Sequence, residues 1–355
     1  MENRELEDKL ARILPPDQTA MERAEKHWHG VCKPLGSLGD LEDMVIRLAG
    51  IQKTENVTLK KRCAMVVCAD NGVVAEGVTQ SDASVSSAVA LEIANGRSNI
   101  NIMAKAAGAD TFVADVGLAA DISHPQLLSY RIAKGTADLA KEPAMTKEQA
   151  CQGILSGMEF IRFLKERGYD IVVTGEMGIG NTTTSSAIAS VLLKKAVAEV
   201  TGRGAGLSSE GLARKIEVIQ QAINLHKPDC KDPIDVLSKV GGFDIAAMTG
   251  MFLGGAVYRL PVVIDGFISS VAALLAVRLS PLCRDYLFAS HVSKEPAGKM
   301  VLEELGLSPV IHAGMSLGEG TGGVCLLPLL DIALAEYKDA HRFEETDIGQ
   351  YERLV

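Results

Sequence analysis

Residues 169–192 read YDIVVTGEMGIGNTTTSSAIASVL. An apolar, β-branched run over residues 171–174 passes through a glycine-rich turn into a segment rich in alanine and serine. Apolar runs without polar alternation are typical of strands in a parallel sheet whose two faces are covered by helices. The stretch therefore predicts one strand, turn and helix of an α/β protein.

Further runs of this kind recur along the chain, separated by longer, alanine-rich segments with helical periodicity. They predict strands over residues 64–69, 111–115, 261–264, 286–289 and 309–312. Strands that alternate with helices favour a doubly wound, mostly parallel, Rossmann-like α/β sheet. We expect a large α/β catalytic domain over residues 56–322 and a second, smaller helical domain formed from both chain ends, 1–55 and 323–355.

The chain ends are predicted to be helical. The pattern indicates two helices between residues 17 and 52, joined by the glycine-containing loop at 33–39, and a further helix over residues 323–337. Chain termini often lie close in space, so we expect these helices to pack together.

The composition excludes several classes of protein. The chain carries 45 acidic and 36 basic residues, and its net charge of -9 disfavours nucleic acid or an anionic membrane surface as the main partner. Its apolar stretches are too short for a membrane span. The seven cysteines are scattered, and only His27 and His29 form a close histidine pair, so neither a disulfide framework nor a metal site is predicted. We expect a cytoplasmic protein that needs no metal and no cofactor.

Polar and glycine residues accumulate just after the predicted strands. Asp70, Glu176 and Asp265 each follow such a run closely. Open α/β sheets bind ligands in the crevice outside the carboxyl ends of their strands. Turns in general favour Gly and Asp, which would explain any single loop. Because the pattern repeats after the predicted strands, we expect the chemistry to lie at this edge of the sheet.

The turn at residues 175–184 is the strongest candidate for ligand binding. Its glycines let the backbone approach a ligand, and the free amides at a helix start and the threonine hydroxyls suit an anion. No lysine precedes the threonines and the G-x-G-x-x-G spacing is absent, which excludes a Walker loop and a dinucleotide fingerprint. We expect a phosphate monoester here; the alternative is a glycine turn followed by a threonine N-cap.

Two other segments supply charged candidates. Glu319 is isolated among the glycines of residues 315–323, where it could accept a proton from a flat ring or simply cap the next helix. The stretch 202–207 precedes a helix that carries Arg214 and Lys215, which could face the same anion or form a solvated helix surface. The nucleophile-elbow pattern is absent, so covalent catalysis is disfavoured.

Seven blocks, in the same order, closely resemble the nicotinate-nucleotide:dimethylbenzimidazole phosphoribosyltransferases, a family that builds the lower-ligand nucleotide of cobalamin. The blocks are KPLGSLG (33–39), CADNGV (68–73), GEMGIGNTT (175–183), KVGGFD (239–244), DGF (265–267), SH (290–291) and LGEG (317–320). The likeness runs from about Met21 to Tyr337. It implies a homodimer whose substrates are nicotinate mononucleotide and a benzimidazole-type base.

The resemblance also implies roles for individual residues. Glu319 matches the general base of the family, and Glu176 and Lys215 match supporting charged positions of the catalytic site. The matches to phosphate- and nucleotide-binding positions are Gly178, Ile179, Gly180, Asn181, Thr182, Gly204 and Ser293. The matches to base-binding positions are Ser81, Val89, Leu317 and Asn71.

Two of the base-binding matches depart from the family pattern. Asn71 stands where the family often has a histidine, and Val89 stands where it has a base-contacting glutamine. The resulting hypothesis is that the accepted ring differs from dimethylbenzimidazole and is another benzimidazole, a purine or a phenol.

The implied reaction moves the ribose phosphate of nicotinate mononucleotide to the incoming ring. Nicotinate leaves as a neutral ring because its glycosidic nitrogen is a pyridinium, and Glu319 accepts the proton of the incoming base. Inversion then gives the α-ribotide, α-ribazole phosphate in the case of dimethylbenzimidazole. Two alternatives stay open: a nucleoside phosphorylase- or hydrolase-like enzyme, and a nucleotide-binding subunit without catalysis.

Overall fold

One parallel sheet lies at the centre of the structure, a computed structural model that describes residues 2–352. Its strands are β1 (Arg62–Ala69), β2 (Asp110–Gly117), β3 (Leu127–Ser129), β4 (Ile171–Met177), β5 (Val262–Ile264) and β6 (Leu287–Ala289). Their order across the sheet is β3-β2-β1-β4-β5-β6, and all neighbours are parallel. Strands add outward on both sides of the β1–β4 pair, which confirms the predicted doubly wound α/β fold.

Helices make up most of the rest of the described chain. They are α1 (Glu2–Leu10), α2 (Gln18–Gly30), α3 (Asp40–Gln52), α4 (Ser84–Ala94), α5 (Asn99–Ala106), α6 (Lys147–Glu166), α7 (Asn181–Leu193), α8 (Val197–Val200), α9 (Ser209–His226), α10 (Pro233–Val240), α11 (Phe243–Tyr258), α12 (Phe267–Leu279), α13 (Pro296–Leu305), α14 (Thr321–Val324) and α15 (Leu326–Asp339). Short 3-10 helices occupy Gly72–Glu76, Pro281–Tyr286 and Phe343–Glu345. Within the described residues, none of these helices has both the length and the apolar character to cross a membrane.

The register of the strands brings their carboxyl ends to one edge of the sheet. Cys68 of β1 lies beside Asp115 of β2 and beside Met177 of β4. Farther along the same edge, Ile264 of β5 lies beside Ala289 of β6. The loops that follow β1, β4, β5 and β6 therefore start close together, and this edge holds the cleft described below.

Helix α11 is buried at every position from 243 to 256, since apolar and small residues cover all of its faces. It packs against α6 at a distance that only glycine permits. A Cβ at Gly157 would collide with the carbonyl oxygen of Ala247, and one at Gly250 would collide with that of Ile154. This contact fixes the start of α11, which carries Asp244, beside the turn that follows β4.

Five of the predicted strands are confirmed, and one is wrong. Residues 309–312 form no strand; only Ile311 pairs, in an isolated parallel bridge with His291. Pro309 has no N–H group with which to extend a ladder. The sixth strand is β3, which lies at the sheet edge and is only three residues long and partly exposed. A run so short carries too little apolar pattern to be predicted.

The helices predicted at the chain ends are confirmed, with one break. The loop at 33–39 separates α2 from α3, and the helix predicted over 323–337 is divided at Cys325 into α14 and α15. The two chain ends meet: the Trp28 and Tyr337 rings pack edge-on with centroids 4.9 Å apart. The division of the chain into two domains stays a prediction.

Candidate active site

A cleft with about 890 Å³ of empty space, its solvent-filled mouth included, opens at the carboxyl ends of β4, β5 and β6. Its walls are residues 176–179, 181–182, 204–205, 265–269, 291, 293, 295 and 316–319. Most of these segments follow one of the three strands or belong to the glycine-rich loop before α14. The cleft therefore lies where the sequence predicted it, outside the carboxyl ends of the strands.

One end of the cleft is the turn from β4 into α7. Gly180 has φ +94°, a left-handed conformation that favours glycine. A Cβ at Gly178 would lie 2.6 Å from Oδ2 of Asp244 and 2.7 Å from the carbonyl oxygen of Ala69, so a larger residue cannot stand there. The turn aims the N-terminus of a 13-residue helix at the cleft. Helix N-termini carry unpaired N–H groups and a partial positive charge, which suit a phosphate.

Lys215 lies behind the turn from β4 into α7 and holds it by a hydrogen bond. It is fully buried on α9, and its Nζ donates to Oγ1 of Thr182 (2.8 Å) and to the carbonyl oxygen of Gly202 (3.3 Å). Burial lowers the pKa of Lys215 to about 8, against the opposing charge of Glu295. Glu295 in turn accepts a hydrogen bond from the Gly204 N–H (3.0 Å). Lys215 therefore contributes its charge through Thr182 and does not itself line the cleft.

The other end of the cleft is the loop that presents Glu319. Gly318, Glu319 and Gly320 have φ values of +86°, +60° and +90°, so Glu319 is a non-glycine residue held in the left-handed region. Such strain persists only where surrounding contacts impose it, and it occurs often at active sites. The loop lies flat on β4, because a Cβ at Gly175 would collide with the carbonyl oxygen of Glu319.

The Glu319 residue is 6% exposed, and its carboxylate reaches the start of α5. It accepts hydrogen bonds from Nδ2 of Asn99 and from the N–H of Ile100, both at 3.3 Å. Both of its oxygens thus have partners, and the carboxylate is held at one place on the cleft wall.

Asp265 holds the same loop from the opposite side. Its carboxylate follows β5 and accepts hydrogen bonds from the N–H groups of Gly323 (2.8 Å) and Gly320 (3.2 Å). Burial raises the pKa of Asp265, while nearby His291 and the backbone N–H groups oppose that shift. Because Gly320 is the neighbour of Glu319, Asp265 fixes the backbone that positions Glu319.

A second buried group of acids lies beneath the cleft floor. The Nδ2 amide of Asn181 donates to Glu176 and to Oδ2 of Asp244 (2.9 Å). Burial, followed by the negative charge of Asp244, raises the pKa of Glu176 to about 8, and burial raises that of Asp244 to about 6. The raised pKa favours the protonated form of Glu176, which can donate a hydrogen bond into the cleft. Among residues 2–352, no group of three or more His, Cys, Asp and Glu side chains is arranged to hold a metal ion.

The structure brings together most of the site residues predicted from the sequence. Those that line the cleft are Glu319, Glu176, Gly178, Ile179, Asn181, Thr182, Gly204, Ser293 and Leu317. Gly180 and Ser81 line a smaller pocket that adjoins it. Three positions lie outside both pockets: Lys215 is buried behind Thr182, Asn71 is buried and donates from Nδ2 to the carbonyl oxygen of Ile179 (3.3 Å), and Val89 on α4 packs against the core.

Other residues enter the site that the sequence analysis did not assign to it. Asp265 and His291 follow β5 and β6, so their positions after strands were the available signal. Nδ1 of His291 contacts Oγ of Ser290 (3.0 Å), and the His291 ring also lines the cleft. Asn99 lies 220 positions from Glu319, and no sequence signal connects the two.

The fold and the cleft define a class of protein: a doubly wound α/β protein whose cleft is lined by a helix N-terminus suited to an anion and by a fixed carboxylate. Residues 13–348 match a family model described as phosphoribosyltransferase. The chain belongs to this family and is a phosphoribosyltransferase.

Related proteins agree along nearly the whole chain. A protein from Ruminiclostridium cellulolyticum, named nicotinate-nucleotide–dimethylbenzimidazole phosphoribosyltransferase, is 47% identical over 98% of this chain and 99% of its own. One of the same name from Clostridium acetobutylicum is 44% identical, with the same shares covered. The crystal structure of CobT from Thermus thermophilus superposes with a TM-score of 0.88 at 37% identity, over 94% of this chain and 100% of that one.

Proposed function

We propose that the enzyme transfers the phosphoribosyl group of nicotinate mononucleotide to dimethylbenzimidazole or a related ring base. The products are nicotinate and the α-ribotide, a step in assembling the nucleotide loop of cobalamin and related cobamides. One observation carries the proposal: the helix N-terminus at Gly178–Thr182 and the glycine-flanked carboxylate of Glu319 line the same cleft. The names of the relatives support the choice of substrates.

In the proposed complex the 5′-phosphate lies at the start of α7. The N–H groups of Ile179 and Asn181 already donate to Ser86 and Gly178. The phosphate therefore faces the other N–H groups of the turn, the Thr182 hydroxyl and Ser293, and Lys215 supplies positive charge through Thr182. The ribose then extends toward Glu319. The side chain of Leu317, which is 54% exposed, offers an apolar surface against which a flat ring can lie.

The leaving group of the transfer needs no general acid, because nicotinate departs as a neutral ring. The lone pair of one base nitrogen attacks the anomeric carbon as the bond to the pyridinium nitrogen breaks, and that bonding pair neutralises the departing ring. The proton on the second base nitrogen passes to Glu319. Attack from the side opposite the leaving group inverts the centre, so the β-nucleotide gives an α-ribotide. Holding two rings about one carbon is chiefly an orientation effect, which is worth up to about 7 to 11 kcal/mol.

The need for an acceptor base distinguishes the proposed transferase from a phosphorylase- or hydrolase-like enzyme and from a binding subunit without catalysis. A phosphorylase would release nicotinate with inorganic phosphate, a hydrolase would release it with water, and a binding subunit would release none. We expect nicotinate release, measured by chromatography, only when an aromatic base is added. Release with phosphate or water alone would overturn the proposal.

The choice of acceptor ring is tested by competition. Equal amounts of dimethylbenzimidazole, a second benzimidazole, a purine and a phenol are supplied in one reaction, and the ribotides are identified by mass. The departures from the family pattern at Asn71 and Val89 motivate this test, although neither residue lines either pocket. Exclusive use of dimethylbenzimidazole would remove that part of the proposal.

We further propose that the enzyme is a cytoplasmic homodimer with the two-domain division given above. The support is the family resemblance, together with seven cysteines that form no disulfide within residues 2–352, as suits a reducing compartment. Light scattering should give twice the chain mass of 37.7 kDa. A monomer at micromolar concentration would contradict the dimer, and recovery of the enzyme outside the cytoplasmic fraction would contradict the location.

A further inference from the structure

His291 occupies a position between the two ends of the cleft. It follows β6, is 5% exposed and nevertheless lines the cleft. Its ring lies against Gly322, where a Cβ would collide with it, and Gly322 belongs to the segment that begins at Glu319. On the other side, a Cβ at Gly266 would lie 3.4 Å from Nε2 of His291 and 3.9 Å from Cβ of Ser293. The ring therefore lies between the phosphate end and the Glu319 end.

The contacts of Ser290 determine which nitrogen of His291 carries the proton. Oγ of Ser290 lies 2.7 Å from the carbonyl oxygen of Ile264 and 3.0 Å from that of Asp265. Carbonyl oxygens only accept, so the single hydroxyl proton points toward them. Nδ1 of His291, 3.0 Å from the same Oγ, must then be the donor. A neutral imidazole has one N–H, so Nε2 carries a lone pair.

The surroundings of His291 favour the neutral ring. Burial lowers the pKa of His291, against the opposing charge of Asp265. Within residues 2–352, no side chain or backbone group forms a hydrogen bond with Nε2. A lone pair on the wall of the cleft would repel a phosphate or carboxylate oxygen but can accept a hydrogen bond from a hydroxyl group.

We infer that Nε2 of His291 accepts a hydrogen bond from one ribose hydroxyl of the bound nucleotide, so that the cleft selects ribonucleotides over deoxyribonucleotides. The inference rests on the proposed function, because the ribose must span from the phosphate end to Glu319. Fixing the sugar by one hydroxyl also prevents its rotation about the phosphate. That orientation keeps the anomeric carbon in line with the incoming base.

The test compares three nucleotides and three variants. The dissociation constants of nicotinate mononucleotide and of its 2′-deoxy and 3′-deoxy analogues are measured by calorimetry without any base. His291→Asn keeps an amide N–H near Ser290 but has no atom at the place of Nε2. His291→Gln can return an acceptor oxygen there. His312→Asn, at an exposed histidine outside the cleft, is the matched control.

We expect His291→Asn to weaken binding of the ribonucleotide by roughly 10- to 100-fold, the usual effect of losing one buried hydrogen bond partner. Binding of the analogue that lacks the contacted hydroxyl should hardly change, so the preference for ribose collapses. His291→Gln should recover part of the affinity, and His312→Asn should behave as the wild type. The analogue whose affinity is unaffected identifies the hydroxyl.

Equal ribose preference in the wild type and in His291→Asn would overturn the inference. If circular dichroism shows that His291→Asn does not fold, the affinities of the wild type are the test. Equal affinity of the wild type for all three nucleotides would also overturn the inference. Failure of the proposed function is read separately, from turnover of nicotinate mononucleotide with dimethylbenzimidazole by the wild type. An enzyme that binds with ribose preference but forms no ribotide contradicts the proposed function alone.

Discussion

The proposed phosphate end and the proposed base end of the cleft are built in different ways. The phosphate end is one contiguous turn, Gly178–Thr182, with the buried Lys215 behind it. The base end depends on Glu319, which is held by groups from the start of α5 and from the end of β5. A local turn can bind an anion with its own backbone, whereas a proton acceptor must be positioned by distant parts of the chain. Substitutions at the phosphate end should therefore change affinity, and those at the base end should change turnover.

The largest expected effect is that of Glu319→Gln. The amide keeps the shape of the side chain but cannot accept a proton, so we expect kcat to fall by about 10²- to 10⁴-fold. The dissociation constant of nicotinate mononucleotide should stay close to that of the wild type. Steady-state kinetics and calorimetry check the two values, with Glu303→Gln on the exposed face of α13 as the control. A near-normal kcat would remove Glu319 from the role of base.

Asp265→Ala tests the positioning of Glu319. The substitution leaves the N–H groups of Gly320 and Gly323 without their acceptor, and we expect kcat to fall by roughly 10- to 100-fold as the loop loses its orientation. Asp265→Asn, whose amide oxygen can still accept, should recover part of the rate. If the variant binds the nucleotide weakly but turns over normally at saturation, Asp265 acts on the phosphate end and does not position Glu319.

Lys215→Met tests the phosphate end. It removes a buried charge that reaches the site through Thr182, so the dissociation constant of the nucleotide should rise by about 10-fold while kcat at saturation changes less. Lys195→Met, at an exposed position, is the control. Loss of kcat with unchanged affinity would contradict the division between the two ends.

The pH dependence of nucleotide affinity should be a smaller effect with a defined direction. Burial lowers the pKa of Lys215 to about 8 and raises that of Glu176 to about 8. As the pH rises through 8, Lys215 loses a positive charge and Glu176 gains a negative one, so both changes disfavour the nucleotide phosphate. We expect the dissociation constant of the nucleotide to rise above this pH, and to rise less steeply in Lys215→Met, where only Glu176 still titrates. Constant or rising affinity between pH 7 and 9 would show that neither group acts on the phosphate.

The contrast between a contiguous turn and a site assembled from distant segments also explains which features the sequence predicts. The central strands β1 and β4 and the turn after β4 are contiguous, and their apolar runs and glycines predict them directly. The edge strand β3 is too short for that, and residues 309–312 have a strand-like composition but only one paired residue. Glu319 stands out by its flanking glycines. Asn99 and Asp265 contact the Glu319 loop only because the folded chain brings α5 and β5 to it. No local sequence pattern predicts these long-range contacts.

The most direct measurement is the anomeric configuration of the product made by the wild-type enzyme from nicotinate mononucleotide and dimethylbenzimidazole. Proton and carbon NMR of the purified ribotide report that configuration. Transfer with inversion gives the α-anomer, formed in equal amount to the nicotinate released. A β-anomer, a mixture of anomers, or nicotinate released without any ribotide would contradict it.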